Sequence, residues 1–153
     1  MLPTRGGCHV NALALGACLV VLVACGRGGA SGPTSGEPAT ITGLAWRLVA
    51  IQWADGHATR AADPAGYLFQ LGADGRVSGK ADCNRLMGTY TIDAQTLRFG
   101  PLATTRMACP PGSVDADWLR ALAAADSWLV RDGHLHIAMT GKAGTIELEP
   151  APG

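Results

Sequence analysis

The chain has 153 residues, with Lys+Arg 12 against Asp+Glu 12, so it is formally neutral at pH 7. That balance excludes the basic excess on which a nucleic-acid surface depends. The length fits one folded domain. Aromatic residues are only 5% of the chain, so the core must lean on Leu, Val, Ile and a few Trp.

Residues 1–24 have the layout of a signal peptide, with Arg5 at the start and an uncharged run from Ala12 to Ala24. That run is too short to span a bilayer as a helix, which takes about 20 residues. It closes on Leu22-Val23-Ala24-Cys25, which resembles a bacterial lipobox. The resemblance implies a thioether-linked diacylglyceryl group on Cys25 and cleavage just before it; the cysteine thiolate is the nucleophile suited to that bond. An ordinary secretory peptide or an uncleaved anchor is the alternative. Gly26 follows the cysteine. By likeness to lipoproteins of two-membrane bacteria, this implies an outer-membrane anchor facing the periplasm. Residues 25–43 then form a lipidated cysteine and a flexible tether rich in Gly, Ser, Thr and Pro, with Ile41 its single large aliphatic. Such a segment buries too little surface to offset its ordering entropy. As a coil, residues 26–43 reach about 23 Å on average.

The folded domain is expected over 44–150. Leu44 to Trp53 alternates and reads as a strand with both faces partly buried. Ala54 to Pro64 is a polar loop. Tyr67 to Leu71 alternates cleanly into a Gly-Ala-Asp-Gly turn at 72–75, with a return strand over Arg76 to Gly79. Gly88 to Asp93 and Thr96 to Phe99 form the next pair, with Tyr90, Ile92, Leu97 and Phe99 inward, followed by Leu102 to Met107 and a Pro-Pro-Gly break at 110–112. A helix is predicted over Val114 to Ala125, with Ser113 as N-cap, Asp115 and Asp117 in the first turn, and Trp118, Leu119 and Leu122 on the inner face. Ser127 to Val130, Leu135 to Met139 and Thr145 to Leu148 close the chain, with turns at Asp132-Gly133 and at 141–144. Short strands at close spacing with one helix make a mainly β (α+β) domain. The expected form is a small antiparallel barrel or strongly curved sheet with the helix packed against it.

Two segments carry a family resemblance. Asp82-Cys83-Asn84-Arg85-Leu86-Met87-Gly88-Thr89-Tyr90 resembles the Cys-Asn-x-x-x-Gly-x-Tyr signature of the META domain, also called the HslJ-like family. Thr105-Arg106-Met107-Ala108-Cys109 resembles that family's Thr-Arg/Lys-Met-Ala-Cys segment. The resemblance covers about 44–149 and implies a compact β-barrel with a helix. It departs at Asp82, where the family usually carries a small residue such as Gly. Members are commonly exported or lipid-anchored; some are linked with heat stress, antibiotic tolerance, or secretion and motility.

With Cys25 lipidated and Cys8 and Cys18 removed with the signal, Cys83 and Cys109 remain. An even pair in an exported domain reads as a disulfide. It would remove roughly 3–4 kcal/mol of unfolded-chain entropy. Two buried reduced thiols are the alternative. Asn84 and Gly88 are expected to shape the backbone beside the bridge. Tyr90, Thr105 and Met107 complete the motif as structural positions. Arg85 and Arg106 suit an anionic group, or simply solvent.

Chemistry-bearing patterns are few. His134 and His136 share a strand face at a spacing compatible with a metal, without a third ligand nearby in sequence, so no metal or cofactor is assigned. His57 lies in a loop. There is no G-x-S-x-G, phosphate-cradling glycine loop or H-E-x-x-H. Trp46, Trp53, Trp118 and Trp128 read as core or rim packing, with a groove lined by them as the alternative. The expected function is a non-enzymatic envelope lipoprotein in stress tolerance or in contact with envelope proteins or lipid. The competing reading is a carrier or pilot-type module that binds an acyl chain or peptide in its barrel or groove.

Overall fold

A computed structural model describes residues 40–153. The predicted signal segment 1–24, Cys25 and most of the predicted tether therefore lie outside the described residues. Ten strands and one helix follow in chain order. They are β1 (Ala45–Trp53), β2 (Ala58–Thr59), β3 (Tyr67–Leu71), β4 (Arg76–Ala81), β5 (Asn84–Ile92), β6 (Leu97–Phe99), β7 (Ala103–Thr104), α1 (Asp115–Ala123), β8 (Ala125–Arg131), β9 (His134–Met139) and β10 (Gly144–Pro150).

All named strand pairs are antiparallel, and the main path runs β6-β5-β4-β3-β1-β10-β9-β8, with β2 on β1 and β7 on β5. The two ends of the path nearly meet. An isolated bridge pairs Thr96 with Ser127, and the Trp128 N–H donates to the Gln95 carbonyl at 3.0 Å. The result is a nearly closed barrel with one seam and a single helix, as expected for a mainly β domain.

Period-two patterning drives this arrangement. Tyr67, Phe69 and Leu71 of β3 are buried while Gln70 is exposed, and Leu135, Ile137 and Met139 repeat the pattern in β9. In β1 the register slips by one residue between Leu48 and Ala50. This β-bulge resets the phase, so Trp46 and Leu48 point inward before it and Ile51 after it. That bulge is why the sequence shows apolar residues on both alternations.

The helix closes the core. Trp118, Ala121 and Leu122 are fully buried; the Trp118 ring stacks on Phe69 at 6.1 Å, and its indole N–H donates to the Lys80 carbonyl at 3.0 Å. Phe69 in turn meets Phe99 edge-on at 5.4 Å. Side chains fill the interior, each large buried one worth about 1.5–3 kcal/mol.

Four expectations need correction. Ordered packing reaches back before Leu44: Ile41 is 1% exposed, its carbonyl accepts the Trp46 indole N–H at 3.0 Å, and Gly43 N–H donates to Leu71. The loop after β1 contains β2, whose Thr59 is buried. β5 begins at Asn84, four residues earlier than Gly88, because the motif itself is strand. The helix starts at Asp115 with Val114, not Ser113, in the cap position; from one residue further out the Ser113 hydroxyl accepts the Asp115 N–H at a long 3.4 Å. The buried Tyr67 hydroxyl accepts the Val114 N–H at 2.9 Å and leaves Ser113 Oγ beside it at 3.1 Å.

Candidate functional site

The family-like residues converge on the β4–β5 hairpin. Asp82 and Cys83 form its two-residue turn between the paired Ala81 and Asn84. Asp82 has φ 59°, a left-handed conformation in which glycine is unstrained. That explains why a small residue suits this position. Asp tolerates the conformation better than most side chains do.

Cys83 is joined to Cys109 across 26 residues of sequence, with the two Cα atoms 5.5 Å apart. The bridge ties the hairpin turn to the segment that follows β7. Closing a loop of that length removes about 3.5 kcal/mol of unfolded-chain entropy.

Asn84 grips the same segment from inside. It is buried, and its side chain makes four contacts. Oδ1 accepts the Met107 N–H at 2.8 Å and the Thr105 hydroxyl at 3.0 Å; Nδ2 donates to the Met107 carbonyl at 3.2 Å and contacts Cys109 Sγ at 3.3 Å. One amide therefore satisfies both backbone polar groups of Met107, as a strand neighbour would. Thr105 completes the ladder: its N–H donates to the Arg85 carbonyl at 3.1 Å, and its hydroxyl accepts the Arg85 N–H at 3.0 Å. Only Ala103–Thr104 of the predicted 102–107 strand is regular strand; Asn84 and Thr105 side chains hold the rest. Met107 itself projects into solvent at 63% exposure.

Gly88 and Tyr90 brace the next turns of β5. A Cβ at Gly88 would lie 2.8 Å from both the Pro101 carbonyl oxygen and Leu102 Cδ2, so only glycine lets the 101–102 segment cross the strand there. The Tyr90 hydroxyl donates to the Gly72 carbonyl at 2.7 Å, and burial pushes its phenol pKa up, with Asp74 adding to the rise.

The Cys-Asn-x-x-x-Gly-x-Tyr stretch and the Thr-Arg-Met-Ala-Cys stretch are thus two halves of one clip, and the family model for the META domain matches residues 39–150. The chain belongs to the META domain family. Among solved structures, the META fold here resembles an NMR structure of a protein from Burkholderia xenovorans, with 27% identity and a TM-score of 0.61, over 80% of this chain and 96% of that one. It also resembles the crystal structure of a DUF4847 family protein from Bacteroides vulgatus ATCC 8482. That match has 17% identity and a TM-score of 0.52, over 71% and 93% of the two chains, and speaks for the fold alone. No curated protein matches the chain significantly.

The remaining candidates lie apart from the META clip. His134 and His136 stack on the outer face of β9 at 6.4 Å between ring centroids, and His134 Nδ1 lies 3.0 Å from Glu147. Among the described residues no group of three or more His, Cys, Asp or Glu is placed to hold a metal. His57 pairs with Asp55 on an exposed turn, where hydrogen bonds from His57, backbone first and then ring, hold the Asp55 carboxyl below its usual range. Trp46 and Trp118 are core, while Trp53 and Trp128 sit at the rim.

One cluster has no sequence signal. The Trp53 indole donates to Thr59 Oγ1, whose hydroxyl donates to Asp117 Oδ2, both at 3.0 Å. Arg120 binds Asp117 Oδ1 at 2.8 Å and lies 4.2 Å over the Trp53 ring, closing the loop. Through Asp117 and Arg120 it pins the helix to the end of β1. An open groove of about 510 Å³ runs along the seam, where Ile41, Ile92, Trp128 and Val130 supply its apolar wall.

Proposed function

We propose that this META domain protein is a lipid-anchored component of the bacterial envelope, held on the outer membrane and facing the periplasm. It acts without catalysis, in stress tolerance or in contact with other envelope components. The observation that carries the reading is the Cys83–Cys109 bridge, since disulfides persist in oxidising compartments outside the cytosol. The Leu22-Val23-Ala24-Cys25 stretch agrees with it from the opposite end of the chain. The clip agrees as well: Asn84, Thr105 and the two cysteines spend their polar groups on one another and on backbone, which is what a structural role requires.

The test is Cys25→Ala. The variant is expected to accumulate as an unprocessed precursor and to lose its lipid. If it fractionates with the envelope like the wild type and carries as much lipid, the anchor reading fails. The seam groove favours a second reading, a carrier for an acyl chain or an apolar peptide. The barrel interior is filled by Trp118, Phe69 and their neighbours, so the groove is where such a ligand belongs. Native mass spectrometry of the full chain from envelopes would show an extra bound mass under that reading and none under the first.

A further inference from the structure

We propose that the outer face of β3, β4, β5 and β7 docks onto an anionic phospholipid bilayer; the proposal rests on the anchor reading above. The pairing register builds this face. One cross-strand row carries Arg47, Leu68, Lys80 and Arg85, and the next carries Ala45, Gln70, Ser78, Met87 and Ala103. Lys80 and Arg85 are directly opposite one another and both exposed. Like charges so placed repel.

Neither takes part in an ion pair among the described residues, nor does the exposed Arg106 beyond Thr105. The neighbouring cations have acidic partners: Arg47 of β1 pairs with Glu149, and Arg76 of β4 lies 3.7 Å from Asp74. Asp82 stands at the hairpin turn below Lys80 and Arg85 and forms no ion pair with either of them. The unpaired cations sit beside the two most exposed large apolar side chains among the described residues, Met87 at 57% and Met107 at 63%. Cations flanked by flexible thioethers match a surface that is anionic outside and apolar beneath.

A further exposed apolar residue borders the same face. The Gln70 side-chain amide, in the row of Met87, donates to the Gly43 carbonyl at 2.9 Å, and Leu44 beside it is 49% exposed. A lipid anchor at Cys25 would hold the domain near its bilayer, so weak docking suffices. Each cation brought to an anionic surface adds about fivefold to the docking equilibrium.

The experiment uses the full chain purified from envelopes and reconstituted into vesicles of phosphatidylcholine with or without phosphatidylglycerol. Lys80 and Lys142 are the chain's two lysines, and Lys142 lies on the turn before β10, so it serves as internal control. Acylation of Lys80 relative to Lys142 is expected to fall by about threefold or more on anionic vesicles and to stay level on neutral ones. Peroxide oxidation of Met87 should slow in parallel, and the double variant K80S/R85S should lose that protection while pelleting equally well. An unchanged ratio on anionic vesicles overturns the docking alone, whereas a chain that fails to pellet defeats the anchor. Protection seen only in native envelopes, and not on anionic vesicles, overturns the proposal in favour of an acidic protein partner.

Discussion

Replacing Asn84 by Ala tests the clip at its centre. The substitution removes the acceptor for the Met107 N–H and the Thr105 hydroxyl and the donor to the Met107 carbonyl. Two backbone groups then lose their partner in a part-buried setting, and each unsatisfied group costs about 1–3 kcal/mol. Water reaches the region because Met107 is exposed, so the lower half of that range applies, for a total of about 2–4 kcal/mol. Urea unfolding of the oxidised domain should show the loss as a lower midpoint with an unchanged slope. Asn84→Asp, which keeps the acceptor but cannot donate, should lose nearly as much, because its carboxylate faces the Met107 carbonyl. The same segment is held by the bridge, so Asn84→Ala combined with Cys83→Ser and Cys109→Ser should cost less than the sum of the separate losses. A loss below about 1 kcal/mol for Asn84→Ala, or strict additivity with the cysteine variants, would refute the reasoning.

Other consequences follow from individual residues. Gly88→Ala forces its new methyl against the Pro101 carbonyl and Leu102, and should destabilise by about 1–3 kcal/mol in the same urea assay. Asp82→Gly should raise stability by about 0.5 kcal/mol, and Asp82→Val should lower it by about 1–2 kcal/mol, because φ 59° suits glycine and not a β-branched side chain. Asp93 is held below the usual carboxylate range by the backbone N–H groups of Thr96 first and Gln95 second. A depressed folded pKa contributes stability above the unfolded value near 3.9 that disappears as pH falls through the folded value. Asp93→Asn should therefore flatten the acid limb of the stability profile below about pH 4 and leave the neutral range nearly level.

The parts of the fold legible in the sequence are those set by local patterning. Tyr67, Phe69 and Leu71 alternate into a glycine-rich turn, and Asp132-Gly133 is a two-residue turn whose φ angles of 52° and 80° are the ones that pair of residues favours. The pairing of Cys83 with Cys109 was legible only through the lipobox resemblance, which sets the other three of the five cysteines aside and implies export. Features that depend on distant segments were hidden. Ile41 is one aliphatic in a stretch whose composition reads as linker, and its burial depends on the Trp46 indole and the seam strands beside it. The first half of β5 carries Asn84 at an inward position, where an apolar residue is the usual strand signal; the amide is tolerated there because the 105–109 segment supplies its partners. The Tyr67 hydroxyl that accepts the Val114 N–H is hidden for the same reason, since the two residues lie 47 apart in sequence.

The central claim is an exported domain closed by sulfur and tied to a membrane through its front end. Intact mass measurement of the chain extracted from envelopes tests both halves at once. The account predicts a polypeptide beginning at Cys25 and carrying acyl chains, whose mass rises by two hydrogens when the Cys83–Cys109 bridge is reduced. A chain that still begins at Met1, or one without acyl mass and with both thiols free before reduction, would contradict it.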